Sequence, residues 1–372
     1  MKYFNYLSEQ EIKDLFYKEP QNFTKNEDKD ILSYALGATL YMPGIRDRIG
    51  TDIIEKKIKG IMSVIICLED SVGDSTVENG LKNVIIQLKK IDDALKEGNI
   101  LEEEVPLIFI RIRNLEQIKS ISMALGEKIN LLAGFVIPKF SYINGEDYFK
   151  EIENLNSKWN TSLYVMPVLE TKDILYLDNR LEYLKNLKEL FDKYKHLILN
   201  IRIGATDFSS LFGIRRNINN AIYDISVIRD CLSSIINIFG RYEDNYAISG
   251  PVWEYFTKNT GDENYYLQEP IAGLIKEGKL DKENGLFGKT VIHPSQIIPI
   301  QSLQVVTYEE YMDAYAIIYN ENENNGVVSS IYKNKMNEVK PHLNWAKKII
   351  KKSYIYGVYN ENKCYKDLLA RK

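Results

Sequence analysis

Short apolar runs alternate with longer amphipathic stretches along the 372 residues of this chain. The runs fall at residues 38–42, 63–68, 107–112, 134–137, 163–169, 197–203, 245–248 and 289–292. Their length and β-branched content predict strands buried on both faces, as in a parallel sheet. Between them lie segments such as VENGLKNVIIQLKKIDDALKEG and RLEYLKNLKELFDKYK, in which apolar residues return every three to four positions. That spacing predicts helices with one face against the sheet.

Strand and helix alternating in this way fit either an open doubly wound sheet or a closed barrel. The polar residues favour closure. Glu69 and Asp70 follow the second run, Arg111 and Arg113 lie in or after the third, and Lys139 follows the fourth. Glu170, Asp207, Ser249 and His293 follow the remaining four. A barrel gathers all these strand ends at one mouth, whereas an open sheet spreads them along a line. The predicted fold is therefore an α/β protein, a (β/α)8 TIM barrel over residues 38–305. A helical N-terminal extension is expected over 1–37 and a helical C-terminal extension over 306–372. The latter holds two helical patterns joined by NENENNGVVSS, whose composition suits a flexible connection, and it is a candidate lid.

Composition narrows the partners. The net charge is -4 with Lys and Arg scattered, so no basic face for nucleic acid and no polybasic membrane anchor is expected. Cys67, Cys231 and Cys364 lack the spacing of a zinc site or a disulfide framework, which suits a reducing cytoplasm. The first residues, MKYFNYLSEQEIKDLF, do not read as a signal peptide, and no apolar stretch reaches the roughly 20 residues of a membrane span. A small-molecule ligand is the expectation.

Glu170 and Asp207 stand at consecutive predicted strand ends. Two carboxylates side by side, with positions left for water and substrate oxygens, suit Mg2+ or Mn2+. Such an ion would hold a hydroxy or keto acid and stabilise an enolate. The competing reading is that each merely caps a helix, as Asp70 also would. Glu69 would orient metal-bound water or hold Arg111, and Arg111 would face an oxygen that gains charge in the transition state. Lys139 raises a Schiff-base aldolase as one alternative and a plain ion pair as the other. Gly285, Gly288 and Lys289 resemble a phosphate turn but precede their strand, at the wrong end of a barrel. His293 reads as a structural hydrogen-bonding residue, and ISGPVWEYF either lines the pocket or packs under a loop. Serine-hydrolase, P-loop and zincin motifs are absent.

Seven segments in order resemble the HpcH/HpaI aldolase and citrate lyase β-subunit family: TLYMPG (39–44), LEDSV (68–72), the Arg111 strand, IPK (137–139), LET (169–171), IGATDFSSLFG (203–213) and FGKTVIHPSQI (287–297), followed by TYEEYMDA. ISGPVWEYF and KTVIHPSQI make it most similar to the divergent C–C bond lyases associated with tellurium-resistance and stress-response gene clusters. The resemblance implies a TIM barrel in trimers or hexamers. It implies Mg2+ on Glu170 and Asp207, and Arg111 on substrate carbonyl and carboxylate oxygens, with Glu69 and Asp70 beside it. Met42, Pro43, Lys139, Ala205, Thr206 and Ser249 are the candidate substrate-binding residues. The implied reaction cleaves or forms a bond next to a carbonyl in a hydroxy acid, keto acid or acyl thioester. Three positions depart from the family pattern. Cys67 replaces an Asp, Arg113 replaces an Asn, and Glu338, beside Asn337, is the nearest match to a C-terminal Asp of thioester-using relatives. The substrate, and thioester use with it, stays open. A catalytically silent barrel that binds a metabolite or a stress-response partner is the alternative.

Overall fold

The computed structural model describes residues 1–258, 264–322 and 326–371, without the side chains of Asp74 and Asn322. Seven parallel strands form one sheet: β1 (Ala38–Pro43), β2 (Ser63–Cys67), β3 (Leu107–Arg111), β4 (Leu132–Ile137), β5 (Tyr164–Leu169), β6 (Arg202–Ile203) and β7 (Lys289–Val291). Their order is β6-β5-β4-β3-β2-β1-β7. The remaining gap is filled by residues 245–250. Ile248 bridges Ile201 beside β6, and Gly250 bridges Lys289 of β7, both in parallel register. The Ser249 amide donates to Ile201 O at 2.9 Å and the Phe287 amide to Ile248 O at 2.8 Å, so the ring closes. The expected barrel is formed.

Alternation along each strand divides the core in two. Val64, Ile66, Ile108, Ile110, Phe135 and Val165 face outward and pack with the helices. Ile65, Phe109, Val136, Met166 and Val168 face inward and join a second cluster with Tyr3, Phe4, Phe16 and Phe23 of the N-terminal segment. Strands apolar on both faces are what a helix-wrapped barrel requires.

The N-terminal extension departs from expectation. It holds only two short helices, Glu9–Leu15 and Lys29–Tyr34, and the strand Phe16–Lys18 pairs antiparallel with Val358–Tyr359. Its aromatic side chains are spent filling the closed end of the barrel instead of lining one helix face. The run at 197–203 pairs as a strand only at Arg202–Ile203, with a single bridge from Ile198 to Val165 before it, and Lys29 Nζ donates to the Lys195 and Ile198 carbonyls at 2.7 and 3.3 Å.

The C-terminal extension forms helices Tyr308–Asn322 and Val339–Tyr356. Part of the expected flexible connection is ordered, with Val327–Ser329 pairing with Met336–Glu338; residues 323–325 lie outside the described residues. The second helix rests on the closed end of the barrel: Lys351 reaches Asp30 at 3.3 Å, and Tyr356 Oη donates to Tyr34 O at 2.6 Å. Within one protomer the extension therefore buttresses the end opposite the mouth. The expected lid does not cover this chain's own site. Among the described residues no helix is long and apolar enough to cross a membrane.

Candidate active site

The C-terminal ends of β2 to β6 bring together Glu69, Asp70, Arg111, Lys139, Glu170 and Asp207. Arg111, the last residue of β3, is buried, and its guanidinium lies 2.7 Å from Glu69, 3.0 Å from Asp70 and 3.2 Å from Glu170. Lys139 Nζ lies 2.7 Å from Glu69 and 3.5 Å from Asp70. Its own amide donates to Glu170 Oε1 at 2.8 Å. Lys139 also holds φ at 47°, in the left-handed region that non-glycine residues adopt uncommonly. Strain of this kind gathers at functional sites.

None of the carboxylates caps a helix. The helix after Glu170 is capped at Thr171 and that of Asp207 at Gly204, both without a side-chain cap bond. The turn and helix after Asp70 begin at Gly73 and Thr76. The competing structural role is thereby removed for all three.

Glu170 is buried, and a Cβ on Gly204 would lie 2.1 Å from its Oε2, so glycine at 204 is what leaves room for this carboxylate. Burial, reinforced by Asp207 and Glu69, pushes Glu170 up to about 7 against the pull of Arg111 and the Lys139 amide. Burial and the facing Asp70 likewise raise Asp207, although Lys139, Arg111 and a hydrogen bond with Glu170 oppose the shift. Asp70 moves the other way: burial resists its ionisation, but the contacts with Glu69, Arg111 and Lys139 outweigh it. Lys139 is held protonated above its usual range, chiefly by its hydrogen bond to Glu69. A Schiff-base nucleophile needs the neutral amine, and this environment disfavours it.

Arg113 braces the loop that carries the acids. Its Nε donates to Leu68 O at 2.9 Å, and its terminal nitrogen reaches the carbonyls of Glu69 and Val72.

Several expected substrate residues are placed differently. Met42 faces outward into the layer between strands and helices, because the inward positions of β1 are Tyr41 and Pro43. Pro43 is exposed at the mouth, as is Thr206, while Ala205 is buried in the outer layer. Ser249 is buried, and its hydroxyl donates to Asn200 Oδ1 inside the barrel, so it braces the wall. His293 accepts from the Ser295 amide at 3.2 Å and stacks on Phe256 at 4.4 Å, a structural arrangement at the rim. Lys289 binds no phosphate: it is buried between Glu277 at 2.9 Å and Asp281 at 2.7 Å. In ISGPVWEYF, Trp253 is packed out of solvent beside Arg216, which also binds Glu254 and Glu277.

Two inward residues were not singled out from sequence. Tyr41 is partly exposed through the mouth and stands within electrostatic reach of Arg202, Arg111, Cys67 and Glu170. Below it, Arg202 is buried with no carboxylate within ion-pair distance. It meets the Thr290 hydroxyl at 2.6 Å, the Met166 sulfur at 3.9 Å and the Tyr41 ring at 5.9 Å, and among the described residues its Nε finds no acceptor. Strand alternation from Arg111 and Glu170 was the available signal, but apolar runs draw the eye away from a lone inward Tyr or Arg.

A sequence model of the C–C bond lyases of the TIM-barrel fold matches residues 30–358. The chain belongs to this family. It is a carbon–carbon lyase whose substrate the family leaves unspecified. No curated protein is close enough in sequence to match. Among solved structures, a citrate lyase from Burkholderia xenovorans LB400 is 13% identical with a TM-score of 0.62, covering 90% of this chain and 95% of its own. The CitE protein of Mycobacterium tuberculosis, solved with magnesium, acetoacetate and coenzyme A, is 16% identical with a TM-score of 0.52 over 86% of this chain and 99% of that one. At these identities the likeness speaks for the fold.

Proposed function

We propose that this lyase is Mg2+-dependent and cleaves or forms a bond next to a carbonyl in a hydroxy acid, keto acid or acyl thioester. One observation carries the reading: Glu170 and Asp207 share a hydrogen bond at the barrel mouth, both raised by burial and by neighbouring acids, with Arg111 3.2 Å from Glu170. Glu69, Asp70, Glu170 and Asp207 gather there around Arg111 and Lys139, and a divalent ion would add positive charge where Glu170 and Asp207 meet.

Among the described residues no three His, Cys, Asp or Glu side chains form a coordination set of their own. Mg2+ keeps several waters and takes one or two carboxylates plus substrate oxygens, so two protein carboxylates suffice for it. Glu170 and Asp207 would hold the ion, which when bound supplies Lewis-acid polarisation of a substrate oxygen. Arg111, locked by three carboxylates, presents a guanidinium to the oxygen that gains charge as the C–C bond breaks, with no reorganisation needed at that moment. Glu69 fixes both cations. Lys139 stays charged and orients Glu170 through its amide. Pro43 and Thr206 offer the exposed rim against which substrate would lie, and Tyr41 a phenol at its floor.

Isothermal titration of Mg2+ into wild type and the Glu170→Ala/Asp207→Ala double variant tests the site. Binding is expected for the wild type only; equal binding by both would remove the reading. A screen of hydroxy acids, keto acids and CoA thioesters, read by mass spectrometry, then identifies the substrate. Assembly into trimers or hexamers, a cytoplasmic location and a place in a tellurium-resistance or stress-response cluster belong to the same reading and rest on the resemblance alone. Loss of all turnover with metal binding retained would favour the silent barrel.

A further inference from the structure

The closed end of the barrel contains a cavity of about 400 Å3, well away from the mouth. That volume is in the range of small-molecule sites. Leu95, Ile100, Val105, Leu107 and Leu131 form the aliphatic part of its wall, Asp92, Glu102, Glu127 and Lys128 the charged part, and Lys25 enters it from the N-terminal segment.

The charges around the cavity are unevenly satisfied. Lys128 and Asp92, both on its wall, pair with each other. Among the described residues Lys25 has no carboxylate within ion-pair distance, Glu102 on the same wall acting on it from farther off, and its ammonium donates to the main-chain carbonyl of Asn130. Burial lowers its proton affinity, with Glu102 acting weakly in the other direction. A half-buried ammonium bonded to a neutral acceptor is a donor whose desolvation is only partly offset. A carboxylate would complete it, and the aliphatic wall would cover an acyl chain.

We propose that this cavity is a second binding site, for an aliphatic carboxylate whose head group pairs with Lys25 and whose chain lies along Leu95, Ile100, Val105 and Leu131. Leu107 is the first residue of β3, whose last is Arg111, about 13 Å away at the rise of an extended strand. Asn130 and Leu131 lead into β4, beyond whose end stands Lys139. The cavity thus touches the roots of the two strands that deliver both cations of the mouth. The proposal does not depend on the metal site, so the two can fail separately.

The test uses the full chain, with octanoate, octanol and octylamine as calorimetric probes. Wild type is expected to bind octanoate saturably and more tightly than octanol. Lys25→Met should weaken octanoate about tenfold, the loss of one charge-assisted bond, while leaving octanol unchanged. Lys25→Glu should reverse the preference in favour of octylamine. Circular dichroism confirms that the variants fold, and their retained octanol binding shows that the cavity is intact. Absence of saturable octanoate binding by wild type would overturn the proposal, as would equal octanoate affinity in wild type and Lys25→Met.

Discussion

Two charged clusters lie on this barrel, built from the same residue types and opposite in what they can do. Behind β7, Glu254, Glu277 and Asp281 are closed by Arg216, Lys289 and the Tyr223 hydroxyl, which reaches Asp281 at 2.6 Å. Glu277 and Lys289 are sealed from solvent, and a Cβ on Gly250 would come within 2.3 Å of Asp281. At the mouth, Asp70 and Lys139 are open to solvent, and Glu170 and Asp207 are raised by burial and by neighbouring acids. A sealed cluster is complete and holds elements together. An open one leaves carboxylates and a lysine where a ligand can reach them.

The largest expected difference follows from breaking each in turn. Lys289→Met leaves Asp281 buried without its cation, and Glu277 with Arg216 alone, and should cost about 3–5 kcal/mol, read by urea denaturation. Glu170→Gln should not destabilise the metal-free protein, because it removes a carboxylate that burial and Asp207 already disfavour. Loss of stability in the second variant comparable to the first would erase the distinction.

Next in size is metal affinity. Glu170→Gln should weaken Mg2+ binding by about a hundredfold, as loss of one of two charged ligands implies. Because Glu170 sits at about 7, a proton competes with the ion. Mg2+ affinity should therefore fall about tenfold per pH unit below 7 and level off above it, as titrations from pH 5.5 to 8 would show.

The same shift has a smaller consequence for stability. Glu170 has its model value of 4.5 when unfolded and about 7 when folded, so between those values the folded state binds more protons. Its contribution is fully present below pH 4.5 and is lost as pH rises toward 7, on the order of 1–3 kcal/mol. Thermal melts of wild type in EDTA should show this slope, and those of Glu170→Gln should lack it.

Gly204→Ala should cost about 1–3 kcal/mol by pushing on Glu170, and should weaken Mg2+ binding more than it lowers the melting temperature. The smallest effect should come from Lys139→Met. Removing one of two cations makes the mouth more negative, so Mg2+ should bind a few-fold more tightly, although Glu69 loses a partner. Borohydride with a keto acid should trap no adduct on wild type, since Lys139 is held charged.

Much of the barrel was legible because a strand buried on both faces has no polar residue to disguise it. Glu69, Arg111, Glu170 and Asp207 stood out for the complementary reason, as charges that interrupt such runs at one end. What the pattern could not convey was direction and partnership. Met42 and Tyr41 are neighbours in one strand, and only the closed ring decides that Tyr41 points inward. Lys289 and Lys139 both follow or begin apolar runs, yet one is sealed behind the wall and the other stands in the mouth. The aromatic N-terminal segment suggested a helix because its spacing does not reveal that it fills a barrel end.

Sequence by itself determined the alternation of strand and helix, the closed-barrel class and the order of acids and bases around the rim. These depend on local periodicity and on which residues cannot be buried uncompensated. The tertiary structure alone decided which acids are neutralised. Lys139 turns its charge to Glu69 and its amide to Glu170, Gly204 yields the space for that carboxylate, and Arg113 ties down the Glu69 loop. Charge balance is a property of side chains meeting across strands up to a hundred residues apart in sequence, and only a folded ring brings those partners within reach.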